Sequence, residues 1–256
     1  MPFLGTETPP ESRRAYSLLA LLLAGVAGAV NAISFLALGV HTSHTTGNLA
    51  NVGEFLARGN WSLALAAAQL VLSFLLGAIV ATVLLNVARH RRRGRHTSAL
   101  LVEAVTLAGV GLWSSVYPEE REPTLLWGLS FAMGLQNALV TRLSGAVVRT
   151  THVTGIVTDI GIQLVKMMEW VREGARGHGL GGLAWRLRRL HQEEQFARTR
   201  LHVGLATAFL LGCTLGPLCF IHFGAVAMTL PCVLLILLVV LDLSPAGAAV
   251  PLAPGT

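Results

Sequence analysis

Long apolar runs separated by short polar segments dominate the pattern of this chain. Each run lies near the length of about 20 residues that a helix needs to cross the ~30 Å hydrocarbon core of a bilayer. The pattern therefore predicts six transmembrane helices, over Tyr16–Gly39, Trp61–Ala88, Thr97–Tyr117, Thr124–Thr141, Leu201–Cys219 and Gly224–Leu241.

A polar motif that follows the first apolar run returns after the fourth. Thr42–Gly53 reads TSHTTGNLANVG and Thr150–Gly161 reads TTHVTGIVTDIG, with five identical positions among twelve. Each copy follows an apolar run that carries an asparagine, Asn31 or Asn137, and the sequence FLLG also occurs once in each half. The repeated order of these landmarks indicates an internal duplication.

The duplication divides the chain into repeat 1, at about 16–117, and repeat 2, at about 124–241. We treat residues 1–256 as a single integral membrane domain. Each motif predicts a half helix that begins near Thr46 or Thr154. Its rise of about 20 Å is short of the membrane core, so the motif either re-enters or crosses only with an extended lead-in.

Charge favours re-entrance over crossing. If both motifs return to the side from which they entered, every Lys and Arg of the 19 except Arg58 and Arg121 lies on one face. Cytoplasmic loops are rich in Lys and Arg, which puts both termini in the cytoplasm. Three crossings per repeat make the repeats inverted, as in many secondary transporters. The expected fold class is all-α: six transmembrane helices as two inverted three-helix repeats, each with a re-entrant broken half helix.

Composition agrees with a membrane protein. The chain is 53% hydrophobic and 12% charged, with a mean hydropathy of +0.63. Its three cysteines lie in late apolar segments without metal-type spacing, so we expect buried thiols and neither a metal nor a cofactor. Phosphate loops, metalloprotease motifs and nucleophile elbows are absent from the sequence, so we expect no enzyme.

The segments GAVNAISFLALGVHTSHTTGNLANVG and GLQNALVTRLSGAVVRTTHVTGIVTDIG resemble the YoaK family of bacterial inner-membrane proteins, a family of unknown function. The resemblance extends from about Ala15 to Leu241, and implies the inner (plasma) membrane as location but no substrate. A basic insert at 171–200 departs from the family. The matching positions are Asn31, Thr46, Gly47, Asn48, Gly134, Gln136, Asn137, Arg149, Thr150, Thr154, Gly155, Thr158 and Asp159.

Polar residues in and before the motifs are the candidates for binding a substrate. Two structural alternatives stay open: the histidines cap their half helices or bond the partner loop, and the amides satisfy freed backbone groups. Two histidines without nearby cysteines or carboxylates make a weak metal signal. The candidate set is Asn31, His44, Thr46, Gly47, Asn48, Gln136, Asn137, His152, Thr154 and Gly155.

Two carboxylates within apolar segments are candidates for proton coupling. Asp159 lies in the second half helix, where the first copy has the neutral Asn51, and Glu103 lies seven residues into the third span. A carboxylate in a low-dielectric site can take up and release a proton, as in many transporters. The structural alternatives are a cap or a partner for Arg149 or His152 in the case of Asp159, and an interface or neighbouring-helix contact in the case of Glu103.

The sequence therefore predicts a small-molecule transporter with a midplane site formed by both motifs, and leaves proton coupling open. The alternative is a non-transporting membrane scaffold or lipid-binding regulator. The basic insert 171–200, which contains WRLRRLHQEEQF, is expected to bind anionic lipid on the inner leaflet. Positive charge on the cytoplasmic face explains the basic character without nucleic acid. The substrate and the oligomeric state stay undetermined.

Overall fold

The computed structural model describes residues 10–91, 94–117, 123–143, 150–190 and 193–244, and no strand occurs among them. Two 3₁₀ turns, Glu194–Phe196 and Gly224–Met228, precede the last two helices. The helices are α1 (Pro10–Leu38), α2 (Thr45–Ala57), α3 (Trp61–Val87), α4 (Thr97–Val116), α5 (Pro123–Leu143), α6 (Val153–Arg189), α7 (Ala197–Phe223) and α8 (Thr229–Leu243).

Large apolar side chains cover the outer faces of the long helices. Val87 is 73% exposed and Val105 is 70% exposed, which would be unfavourable in water and is ordinary against lipid. Within the described residues, four segments are long and apolar enough to cross a membrane: Tyr16–Leu38, Trp61–Val87, Thr97–Val116 and Glu194–Leu243. The chain is therefore an all-helical, multi-pass membrane protein.

The six predicted spans correspond to α1, α3, α4, α5, α7 and α8, with ends that differ by at most six residues. The fourth predicted span, α5, is not among the four apolar segments because it carries Gln136, Asn137 and Arg142. The last of the four segments contains both α7 and α8.

The chain forms two compact units. The first is Met1–Thr151 with Ala208–Thr256, and the second is His152–Thr207.

Helices α3 and α5 of the first unit pack backbone against backbone. Gly77 faces the carbonyl of Phe131, and Gly134 faces the carbonyl of Phe74. Closer to the start of both helices, Ser73 Oγ donates to the Trp127 carbonyl at 2.8 Å. Ser73 contacts Trp127 and, four residues later on both helices, Gly77 contacts Phe131, so α3 and α5 run parallel.

Helices α1 and α7 make an equivalent crossing. Gly28 faces the carbonyl of Phe209, and Gly212 faces the carbonyl of Gly25, while Gly216 lies against Ala29 further along both helices. These helices therefore also run parallel. The crossing corresponds contact for contact to the one between α3 and α5, since Gly28 precedes Asn31 as Gly134 precedes Asn137, and each FLLG sequence supplies one glycine.

Helices α4 and α8 run antiparallel. Cys232 Sγ lies 3.7 Å from the Ala104 carbonyl, and the far end of the contact is a capping site. There, the Asp242 carboxylate accepts hydrogen bonds from the backbone N–H of His96 and the hydroxyl of Thr97, both at 2.9 Å. Asp242 thus satisfies an open N–H at the start of α4.

The second half helix is longer than the motif predicts. In the first copy, Gly59 has φ +70° and ends α2, whereas Met167 occupies the equivalent position of the second copy and α6 continues to Arg189. Arg186 donates to the carbonyl of Trp170, sixteen residues earlier. A straight helix would hold these residues about 24 Å apart, so α6 bends back between them, in a glycine-rich stretch.

Alanine substitution at the α3–α5 crossing is expected to destabilise the protein. A Cβ at Gly77 or Gly134 overlaps a backbone carbonyl that cannot rotate away, and overpacking costs about 1–3 kcal/mol. Gly109→Ala in α4 is the matched control, because a Cβ there meets no atom within 4 Å of the described chain. Thermal unfolding in detergent measures the effect. Equal stability of Gly134→Ala and Gly109→Ala would contradict the close packing.

Candidate functional site

Asn31 ties the first motif to the helix that precedes it. Its side-chain oxygen accepts from the backbone N–H of Ser43 at 3.2 Å and from the Ser43 hydroxyl at 2.8 Å. Its amide nitrogen donates to His41 Nδ1 at 3.2 Å, and the His41 ring stacks on Phe35 with centroids 4.3 Å apart. The amide therefore organises the turn that links α1 to α2.

Asn137 makes the same connection in the second copy. Its side-chain oxygen lies 3.3 Å from both the Thr150 hydroxyl and the Thr151 backbone N–H, which both donate to it. Its amide nitrogen donates to Thr151 Oγ1 at 2.6 Å and to the Met133 carbonyl at 3.0 Å. Both asparagines thus bond backbone groups of the loop that follows their helix, which is the structural alternative that the sequence left open. Substrate binding by these asparagines stays a prediction.

Serine side chains that sequence reasoning missed also hold the first motif. Ser34 Oγ donates to the Asn31 carbonyl at 2.8 Å and lies 3.3 Å from the Thr42 hydroxyl. The fully buried Ser130 Oγ of α5 lies within hydrogen-bonding distance of the Thr42 and Leu70 carbonyls, at 3.1 and 2.9 Å. The first motif is therefore fastened to both α1 and α5.

Three other buried polar groups of the first unit face the protein interior. Asn48 Nδ2 lies 3.5 Å from the His41 carbonyl. Gln136 Nε2 donates to the Leu23 carbonyl, while its side-chain oxygen has no partner among the described residues. Glu103 is 0% exposed, and neither of its carboxylate oxygens has a partner within the described part of the chain. Glu103 accordingly makes none of the expected helix–helix bonds.

Histidine and glycine form one packing unit at the start of each half helix. His44 and His152 are the N-cap residues of α2 and α6, yet neither side chain makes a capping hydrogen bond within the described residues. Each imidazole instead lies where a Cβ on Gly47 or Gly155 would stand. The predicted position of the histidines at the helix starts is confirmed, and the predicted hydrogen-bonded cap is not observed.

Among the candidate residues for binding a substrate, His44, Thr46, His152 and Thr154 have exposed side chains. Because the asparagines are occupied by their own loops, these four side chains and the open N–H groups beside them remain available to a ligand. The structure places the first pair in the first unit and the second pair in the second unit. A shared site formed by both motifs stays a prediction.

Asp159 has a partner that the sequence did not suggest. The Arg198 guanidinium donates to Asp159 Oδ2 at 2.9 Å, and His202 Nδ1 lies 3.7 Å from the same oxygen. Beside them, the Thr199 hydroxyl donates to the Gln163 side-chain oxygen. Arg149, which the sequence suggested as a partner of Asp159, lies outside the described residues.

A polar cluster within the second unit is formed by Asp159, Gln163, Arg198, Thr199 and His202. A comparison of the two repeats for differences rather than identities would have found it.

The described residues contain no group of three or more His, Cys, Asp or Glu side chains that could hold a metal ion. The cysteines Cys213, Cys219 and Cys232 are free and partly buried.

We expect His44 and Gly47 to be energetically coupled. Gly47→Ala displaces the imidazole, whereas in a His44→Ala background the same alanine only improves helix propensity, by about 1 kcal/mol. Gly53→Ala in the same helix is the control, because a Cβ there meets no described atom within 4 Å. A double-mutant cycle of unfolding temperatures measures the coupling. Zero coupling between positions 44 and 47, or equal coupling between 44 and 53, would contradict the packing unit.

Comparison with known proteins gives a family but no activity. Searches of curated proteins and of solved structures each find no match. A family model described as a protein of unknown function, DUF1275, matches residues 19–241, which is most of the chain and includes both motifs. The YoaK proteins are members of the same family, which confirms the resemblance in the sequence. The chain belongs to the DUF1275 family.

Proposed function

We propose that the protein is a small-molecule transporter built from two inverted three-helix repeats. The observation that carries this proposal is the direction of the helices. Six residues connect α4 to α5. They reach at most about 20 Å, too little to recross a ~30 Å core, so α4 and α5 run in opposite directions. Since α5 is parallel to α3 and α8 is antiparallel to α4, helices α3, α5 and α8 share one direction.

The remaining helices share the other direction. A five-residue 3₁₀ turn joins α7 to α8, so the two form a hairpin, and α1 is parallel to α7. Helices α1, α4 and α7 thus oppose α3, α5 and α8. Each of the three proposed spanning helices of repeat 1 opposes its counterpart in repeat 2, namely α1 with α5, α3 with α7 and α4 with α8. This relation supports inverted symmetry.

The same reasoning supports re-entrance of the first motif. Because α1 and α3 oppose each other, the chain between them makes no net crossing, and the 13 residues of α2 rise only about 20 Å. Broken helices of this kind bring open N–H groups and a partial positive charge to the middle of the membrane. His44, Thr46, His152 and Thr154 are the side chains we assign to the substrate, with both termini in the cytoplasm.

A lipid contact is proposed for the end of α6. Trp185 and Leu187 are more than half exposed there, and the Arg189 guanidinium lies 4.7 Å from the centre of the Trp185 ring. Exposed aromatic and apolar side chains among arginines suit the boundary between acyl chains and anionic headgroups. This supports a contact of the basic insert with the inner leaflet.

One observation favours the second candidate function, a scaffold that does not transport. The amides of Asn31 and Asn137 satisfy their own loops, so a purely structural duplication would account for both of them. Such a scaffold leaves two features unexplained: the exposed threonines and histidines of the motifs, and the charged cluster at Asp159. Uptake measurements therefore distinguish the two candidates.

Cysteine labelling tests the topology. In a chain whose three native cysteines are replaced by serine, Arg58→Cys is expected to react with an impermeant reagent from outside the cell, and Arg91→Cys only after the membrane is opened. Both positions are exposed and lie at opposite ends of α3. Reaction of position 91 from outside would contradict the orientation, and an inaccessible position 58 would contradict re-entrance.

Proton-driven uptake in reconstituted vesicles tests the function. A metabolite uptake screen in a strain lacking the protein first identifies the substrate. Asp159→Asn is then expected to insert normally, because Asn51 holds the equivalent place, and to reduce pH-driven uptake at least tenfold. Glu103→Gln is expected to reduce it less. Unchanged uptake by Asp159→Asn would exclude Asp159 from coupling, and a screen without any substrate would favour the scaffold.

A further inference from the structure

The second unit contains an imidazole whose contacts are incomplete. His202 is 1% exposed, and its Nδ1 has no hydrogen-bond partner among the described residues. Asp159 Oδ2 lies 3.7 Å from this nitrogen, which exceeds the usual limit of about 3.2 Å for a nitrogen–oxygen hydrogen bond. A buried nitrogen without a partner is unfavourable, so its position facing a carboxylate requires a reason.

Packing alone does not provide that reason, because the first repeat makes the same helix pair without these groups. The duplication aligns Asp159 with Asn51, and the FLLG sequences align Arg198 with Leu63 and His202 with Ala67. In the first repeat, α2 packs against α3, where Ala67 is buried. An apolar contact is therefore sufficient to hold a half helix against the helix that follows it.

Arg198 and His202 face the same carboxylate oxygen from one helix, α7. Arg198 holds that oxygen at 2.9 Å, and its side chain is about half exposed, so water reaches the pair. Asp159 and Arg198 are the charged groups that act on His202 among the described residues, while the adjacent Gln163 and Thr199 are neutral and bonded to each other. A change in the charge of His202 is therefore felt first at Asp159.

We propose that His202 is a proton-binding residue and that Asp159 exchanges Arg198 for His202 when the proton arrives. A proton from water adds to the Nδ1 lone pair, the new N–H donates to Asp159 Oδ2, and the Arg198 guanidinium is released toward solvent. On loss of the proton, Arg198 regains the carboxylate. Both arrangements keep Asp159 ionised, and no bond between heavy atoms forms or breaks.

The exchange changes what joins two helices of the second unit. Asp159 belongs to α6, six positions after its first residue, and Arg198 lies in the first turn of α7. The Arg198 bond fixes the outer edge of this helix pair, whereas a His202 bond lies one turn deeper along α7. Protonation would therefore shift the restraint on the second half helix, which carries the proposed substrate-binding residues His152 and Thr154.

Nuclear magnetic resonance of ¹⁵N-histidine-labelled protein in lipid bilayers tests the exchange without any substrate. His202→Ala, which copies Ala67, identifies the His202 signal, and the exposed His222 of the same helix is the internal reference. We expect the His202 signal to change between about pH 5 and 8, the range in which imidazoles titrate.

Two single substitutions then test the partners. Asp159→Asn removes a negative charge and Arg198→Leu removes a positive one, each copying the residue of the first repeat. We expect them to move the midpoint of His202 in opposite directions, by at least half a pH unit each, and to leave that of His222 unchanged. A His202 signal that stays constant over this range, or a midpoint that neither substitution moves, would overturn the proposal.

The use of this exchange in transport rests on the proposed function, whereas the exchange itself does not. If His202 titrates as described and no substrate is ever transported, the proton site stands and the transporter fails. If uptake is proton-driven and the His202 signal is constant, the transporter stands and His202 is excluded. Uptake by His202→Ala then assigns the coupling role to Asp159 alone or to another residue.

Discussion

The structure depends on two helix crossings at which backbone touches backbone. Lipid removes the hydrophobic driving force between helices, so helices associate through close van der Waals contact, and only glycine allows it at this distance. Gly77 with Gly134, and Gly28 with Gly212, provide such contact at α3–α5 and α1–α7. Each crossing pairs a helix that precedes a motif with a helix that follows the other motif, so neither repeat can reach this packing alone.

In the proposed re-entrant topology, the polar backbone groups of the two broken segments must be satisfied within the membrane. Irregular backbone survives at membrane depth only when protein or an enclosed water cavity bonds it. Asn31 and Asn137 do this by accepting from the N–H of Ser43 and Thr151, and Ser130 adds a bond from a neighbouring helix. The cost of placing an amide in an apolar helix is thus offset by the bonds of the loop that follows it.

Much of this arrangement follows from the sequence, because apolar length and internal repetition are properties of single segments. The helix positions and the start of each half helix were predictable. The length of α6 was not, since it depends on Met167 standing where the first copy has Gly59. Ser130 was missed because its partners, the carbonyls of Thr42 and Leu70, lie far away in the chain, and one sequence does not reveal such contacts. Arg198 and His202 differ from the aligned Leu63 and Ala67, so a comparison of the two copies for differences would have pointed to them.

The comparison of the two copies also separates polar residues that the fold requires from polar residues that it does not require. The asparagine tethers are present in both copies, and they satisfy open backbone groups that any broken helix would have. The cluster of Asp159, Arg198 and His202 occurs in one copy, and the other copy folds the corresponding helix pair with uncharged residues. Ionisable groups are costly at depth, so a group that folding does not require indicates a selected use. In the proposed inverted arrangement, a charged cluster present in only one copy makes the two halves of the protein unequal, and a gradient-driven carrier needs such an asymmetry.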